Sequence, residues 1–121
     1  MVGYNLGVVE SCFADLVWEK EPVSTSELVE LCKEKFNWKR TTTYTVLKRL
    51  CEGGLFKLEN STVTSLVSRE NFYSAKSENF VAESFNGSLP AFIAAFTKRK
   101  KLSKKDIDEI RKMIDEFNPE E

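Results

Sequence analysis

Between residues 37 and 67 the hydrophobic period changes once, at Gly53-Gly54, and that change limits the possible folds more than any other feature. Before the glycines, "RTTTYTVLKRLCE" sets Val46, Leu47 and Leu50, joined by Thr43, on one side at helical spacing. After them, "LFKLE" and "TVTSLV" alternate apolar and polar residues across Asn60-Ser61, the pattern of a short β-hairpin. Paired glycines suit the junction, because a left-handed residue just past the last turn is a common way for a helix to stop.

Two more helices precede this unit. In "LGVVESCFADLVW", Val9, Cys12, Phe13, Leu16 and Val17 form a stripe that predicts a helix over 6–19. Pro22 ends it, since the residue before a proline avoids the helical region. "STSELVELCKEKF" carries Ser24 and Glu27 at capping-box spacing, with Leu28, Leu31 and Cys32 as its apolar face. The order helix, helix, helix, hairpin is that of a winged helix-turn-helix.

From Ser68 the helical period returns. Ser68 is placed to cap a helix reaching about Phe85, "NGS" breaks it, and Pro90 sits near the start of a short apolar helix. A last helix opens with Ser103 and Asp106 at capping spacing and carries Ile107, Ile110, Ile114 and Phe117 as its stripe. The expected fold is therefore mainly α. A winged helix-turn-helix over 1–67 is followed by a helical dimerisation region over 68–121.

Composition narrows the function. The chain has no histidine, which removes Ser-His-Asp and Cys-His catalysis and most zinc sites. No glycine-rich phosphate loop is present, so neither an enzyme nor a cofactor or metal is expected. Cys12, Cys32 and Cys51 are odd in number and far apart, which fits reduced, mostly buried thiols. No run of about 18 apolar residues and no signal-peptide pattern occurs, which predicts a cytoplasmic protein. Net charge is −1, so any nucleic-acid role has to rest on local charge.

That local charge surrounds the threonines. Thr41, Thr42, Tyr44, Thr45, Lys48 and Glu52 fall on the outer face of the third helix, with Arg49 at its margin. Threonine is a mediocre helix former, so four of them (Thr41, Thr42, Thr43 and Thr45) near one helix start ask for a reason beyond helicity. In a helix-turn-helix this end of the second motif helix faces base edges. A threonine there offers a hydroxyl and a methyl, which suit a base edge and a thymine methyl. Thr41, Thr42, Tyr44 and Thr45 are thus the candidate base readers. Lys39, Arg40, Lys48, Arg49 and, on the hairpin, Lys57 are the candidate phosphate contacts.

The chain resembles the penicillinase-repressor family of winged-helix regulators. The resemblance is carried by "LVW" at the end of the first helix, "S-x-x-ELVELC" and "W-x-x-x-T-x-x-T-V-L-x-RL-x-x-x-GL" from Trp38 to Leu55. "SREN", "NGSL" and "KKLSKKDIDEI" carry it further. It implies a dimeric transcriptional repressor on an inverted-repeat operator, with Thr41, Thr42, Tyr44 and Thr45 facing DNA and Trp18, Val46, Leu47 and Leu50 in the core. Two departures stand out. The wing "KLENSTV" is short and lacks a basic tip, and Arg40 replaces the family's proline after the tryptophan.

The second half is too apolar for a tail. Phe72, Phe80, Phe85, Leu89, Phe92 and Phe96, with Ile107, Ile110 and Ile114, exceed what a winged helix needs to bury, and they predict a homodimer interface. The resemblance also implies release by a membrane-bound sensor metalloprotease, the matching bond being Ala95–Phe96. The chain ends without a Cys-x-Cys motif, which argues against direct copper sensing. The basic run "KRKKLSKK" at 98–105 reads first as a solvated linker and second as a phosphate contact or partner-docking segment. A winged-helix protein-interaction module without DNA binding is the alternative, and the acidic balance and thin wing favour it.

Overall fold

The computed structural model describes residues 6–119. Six helices and three short strands follow in the order α1 (Val8–Lys20), β1 (Val23–Ser24), α2 (Thr25–Phe36), α3 (Arg40–Glu52), β2 (Phe56–Glu59), β3 (Thr62–Ser65), α4 (Arg69–Phe85), α5 (Leu89–Thr97) and α6 (Lys104–Glu116). The chain is a winged helix followed by a helical region. It divides into two compact units, Met1–Asn79 and Phe80–Glu121, and the division falls within α4.

In the first unit, α1, α2 and α3 enclose Phe13, Val17, Leu28, Cys32, Leu47 and Leu50, each 2% exposed or less. The predicted α1 stripe is only partly right. Phe13, Leu16 and Val17 are buried with Ala14, but Val9 is exposed in the first turn and Cys12 points off the packed face. Cys12 is therefore a surface thiol, unlike the buried Cys32. The Ser24 cap forms as expected, its Oγ accepting from Glu27 N at 3.1 Å.

The end of α3 is a Schellman motif. Leu55 N donates to Leu50 O and Gly54 N to Cys51 O, both at 3.0 Å, and Gly54 takes φ +86°. Leu50 and Leu55 are both buried beside it. The chain then enters the hairpin, which turns at Asn60 (φ 51°) and Ser61 (φ 59°). Positive φ at both central residues matches the right-handed twist of the strands they join. The register pairs Lys57 with Thr64 and Glu59 with Thr62.

A third strand completes the sheet in the order β1-β3-β2, with Val23 opposite Val63. The expectation of a bare hairpin omitted β1, because two residues are too few to show a period. Glu21 locks the same edge: its carboxylate accepts from Ser65 N at 2.8 Å and from Ser65 Oγ at 2.9 Å.

The first part of α4 belongs to this unit. Phe72 is 3% exposed, with its ring centroid 5.5 Å from that of Trp18. The sequence groups Phe72 with the pairing residues, whereas the structure places it in the core of the winged helix. The winged unit reaches past residue 67 because Trp18, half-buried at the end of α1, needs Phe72 and Tyr73 to cover it.

The second unit packs aromatics on one another. Phe92 lies 6.0 Å from Phe80, 5.6 Å from Phe85 and 6.1 Å from Phe96 by ring centroids. Ser88 caps α5 through Ala91 N, and Ser103 caps α6 through Asp106 N at 3.0 Å. Among the described residues from 80 to 119, none is buried.

Candidate nucleic-acid interface

Packing of Thr43, Val46, Leu47 and Leu50 against α1 and α2 decides which side of α3 faces out. Thr41, Thr42, Thr45, Lys48 and Arg49 are exposed, and Tyr44 is half-buried. Thr42, Thr45 and Arg49 stand at i, i+3 and i+7, so they follow one line along the helix surface. The four candidate base readers therefore share the outer surface of the first turn and a half.

The helix start is open. Ser24, Ser88 and Ser103 cap α2, α5 and α6, but Lys39 at the N-cap of α3 makes no side-chain hydrogen bond. The first backbone N–H groups of α3 thus keep their donors for water or an anion, at the positive end of the helix dipole. Arg40 is the first residue of α3. Its guanidinium lies 5.3 Å from the Tyr44 ring centroid, a cation–π contact that steadies both side chains.

Thr45 Oγ1 donates to Thr41 O at 2.8 Å. With its proton committed there, the hydroxyl presents lone pairs outward beside its methyl group. Thr43, in contrast, has turned inward. It is 1% exposed, and its Oγ1 finds no hydrogen bond of sound geometry; the polar atom nearby is the Cys32 thiol, a weak partner. Burial pushes the Cys32 thiol up, and the Thr43 hydroxyl offsets part of that shift.

The cations differ in their surroundings. Among the described residues, Lys39, Arg40, Lys48 and Lys57 have no carboxylate within 4 Å. Arg49 does: its Nη1 is bound to Glu10 Oε2 of α1. Glu10 is the residue that sequence reasoning missed. The only trace of it is its position in the first turn of α1, where an acid is unremarkable. Lys57 stands alone on β2, so the wing carries one basic side chain and its tip, Asn60-Ser61, carries none.

Ala95 and Phe96, the sequence's candidate cleavage pair, lie in the last turns of α5 and are exposed. The cations from Lys98 to Lys105 are all exposed around the turn between α5 and α6. Among the described residues no group of three or more histidine, cysteine, aspartate or glutamate side chains is placed to hold a metal ion. None of the described helices is long and apolar enough to cross a membrane.

The chain is 24% identical over 115 residues to the methicillin resistance regulatory protein MecI of Staphylococcus aureus, covering 92% of this chain and 94% of that protein. The same protein from Staphylococcus epidermidis is likewise 24% identical over 115 residues. The penicillinase repressor of Bacillus licheniformis is 22% identical over 105 residues, covering 84% of this chain and 82% of the repressor. The family profile described as Penicillinase repressor matches residues 6–116. With nearly all of the described chain inside that match, the protein belongs to the penicillinase-repressor family of transcriptional repressors.

Proposed function

We propose that the protein is a dimeric transcriptional repressor that reads an inverted-repeat operator by inserting the start of α3 into the major groove. The observation that carries this reading is the outer face of α3. Three exposed threonines stand at an uncapped helix N-terminus, flanked by Lys39, Arg40 and Lys48, which have no carboxylate within 4 Å among the described residues. Thr41, Thr42, Tyr44 and Thr45 read bases. Lys39, Arg40 and Lys48 hold phosphates, and Lys57 adds one contact from the wing.

Pairing is supported by the second unit. Leu89 is 55% exposed, Ile114 62% and Phe117 74%, and they border an open apolar groove of about 550 Å³ with Ile93, Ile110 and Met113. A second copy laid on this face would remove it from water and supply the two-fold axis that an inverted repeat requires. Release through cleavage of Ala95–Phe96 is compatible with the exposure of both residues. A protease would have to unwind the last turns of α5 to reach the bond, and an unchanged intact mass after co-expression with the sensor protease would exclude that route.

The test is fluorescence anisotropy with DNA from upstream of the protein's own gene, against a shuffled duplex, at several salt concentrations. A preference of about 10³ or more with steep salt dependence is expected of an operator-reading repressor. Absence of binding to either duplex at low salt would overturn the reading in favour of an interaction module.

A further inference from the structure

Arg49 occupies the line of Thr42 and Thr45, yet its charge is answered from within the protein. Glu10 lies near the start of α1, 39 residues away in sequence, and its side chain is only 20% exposed. The carboxylate is held at both oxygens: Oε1 accepts from Gly7 N at 3.2 Å and Oε2 accepts from Arg49 Nη1. A carboxylate tied to its own helix start and to the recognition helix is a fixed joint between the two. The Arg49 side chain, 60% exposed, spans from the far end of α3 to that joint.

Such a pair adds little stability, since half of it faces water. Its value is geometric. A base-reading helix has to enter the groove at one angle, and a small misplacement forfeits the contacts of several side chains together. The core residues Val46, Leu47 and Leu50 fix α3 along one face, but an apolar face permits small rolling motions that a directional charged hydrogen bond resists.

We propose that Glu10 and Arg49 form a positioning pair that sets the angle of α3 for base reading, and that Arg49 contributes no phosphate contact. This rests on the DNA-reading function proposed above. Glu10 is thereby a specificity-determining residue that touches no DNA.

Two alternative roles give opposite results in the anisotropy experiment. The full-length protein and its Glu10→Gln, Arg49→Gln and charge-swapped (Glu10→Arg with Arg49→Glu) forms are titrated with the cognate and shuffled duplexes, well below their melting temperatures. For a positioning pair, each single variant loses about tenfold on the cognate duplex. Binding to the shuffled duplex changes by less than about threefold and the salt slope by less than about 0.3, because no phosphate contact is lost. The swap restores at least half of the lost preference.

A loss for Arg49→Gln that is equal on both duplexes, with the salt slope lower by about one, would identify a phosphate contact and overturn the proposal. Tighter binding of Glu10→Gln to both duplexes would overturn it too, by showing that Glu10 masks a DNA-binding charge. An unchanged preference in both singles would reduce the pair to a stabilising contact. If the unmodified protein prefers no duplex, the DNA-reading function has failed. Failure of the pair alone is distinct from this: the unmodified protein then prefers the cognate duplex and both singles keep that preference.

Discussion

The indole N–H of Trp18 donates to the carbonyl of Val67 at 2.9 Å, joining the end of α1 to the segment where the sheet gives way to α4. The same ring lies 5.5 Å from Phe56 in β2 and 5.5 Å from Phe72 in α4. One side chain therefore gathers a helix, a strand and the following helix. Trp18→Phe keeps most of the contact but leaves a part-buried carbonyl unmatched, and should cost about 1–3 kcal/mol. Trp18→Ala should cost about 3–5 kcal/mol. Urea denaturation followed by circular dichroism checks both, and a loss below 0.5 kcal/mol (roughly the scatter of neutral surface changes) for Trp18→Ala would contradict the central place of this ring.

Thr43 gives a prediction of the opposite sign. Its hydroxyl is buried without a well-formed hydrogen bond, so it carries a desolvation cost with little return. Thr43→Val replaces the hydroxyl by a methyl of similar size and should stabilise the protein by about 0.5–1 kcal/mol. The midpoint of urea unfolding should rise with no change in slope. A fall would mean that the Cys32 thiol is a better partner than its chemistry suggests.

On the other side of the same helix, Thr42→Ala and Thr45→Ala should each cost about 1–3 kcal/mol on the cognate duplex and little on a shuffled one. For Thr45 the committed proton adds a distinction. Thr45→Ser retains the hydroxyl and loses the methyl, whereas Thr45→Val retains the methyl. Loss in the first and not the second would assign the contact to a thymine methyl. Equal losses on cognate and random DNA would remove both threonines from base reading.

Much of this was legible in the sequence, for physical reasons that differ by element. Ser24, Ser68 and Ser103 all accept the backbone hydrogen bond expected of them, because capping is a local property of three or four residues. The hairpin turn was legible for the same reason. β1 was not, since two residues have no period and their pairing with β3 is decided by chain return. Phe72 was misplaced because an aromatic at the start of α4 has the same pattern whether it covers Trp18 or a partner. The Glu10–Arg49 pair was invisible, since a salt bridge across 39 residues leaves no local trace. The threonine face, by contrast, needed only the helical period and the position of the core residues.

Lys39 tests the electrostatic part of the interface. It is exposed at the N-cap of α3, with no carboxylate within 4 Å among the described residues. Lys39→Ala should weaken cognate and shuffled duplexes about equally and reduce the logarithmic salt slope by about one. A change confined to the cognate duplex would make Lys39 a base reader, and no change in slope would take it off the phosphate backbone.

The thiols test the first unit at alkaline pH. Burial raises the Cys32 thiol and, to the same effect, Cys51, while burial and then the Asp15 carboxylate raise the Tyr73 hydroxyl. In each case the folded protein holds a proton that the unfolded chain releases more readily. The stabilisation is therefore complete below the ordinary thiol value of about 8.5 and is lost as pH rises through the higher folded values. Stability should be level from about pH 7 to 8 and decline above about pH 9, with Cys32→Ala flattening part of the decline. Thiol labelling reads the same burial directly. Cys12, exposed on α1, should react without unfolding, whereas Cys32 should react only on unfolding, slower by a factor of about 10³ or more. Comparable rates at both positions would mean that α1, α2 and α3 open far more often than their packing around Cys32 allows.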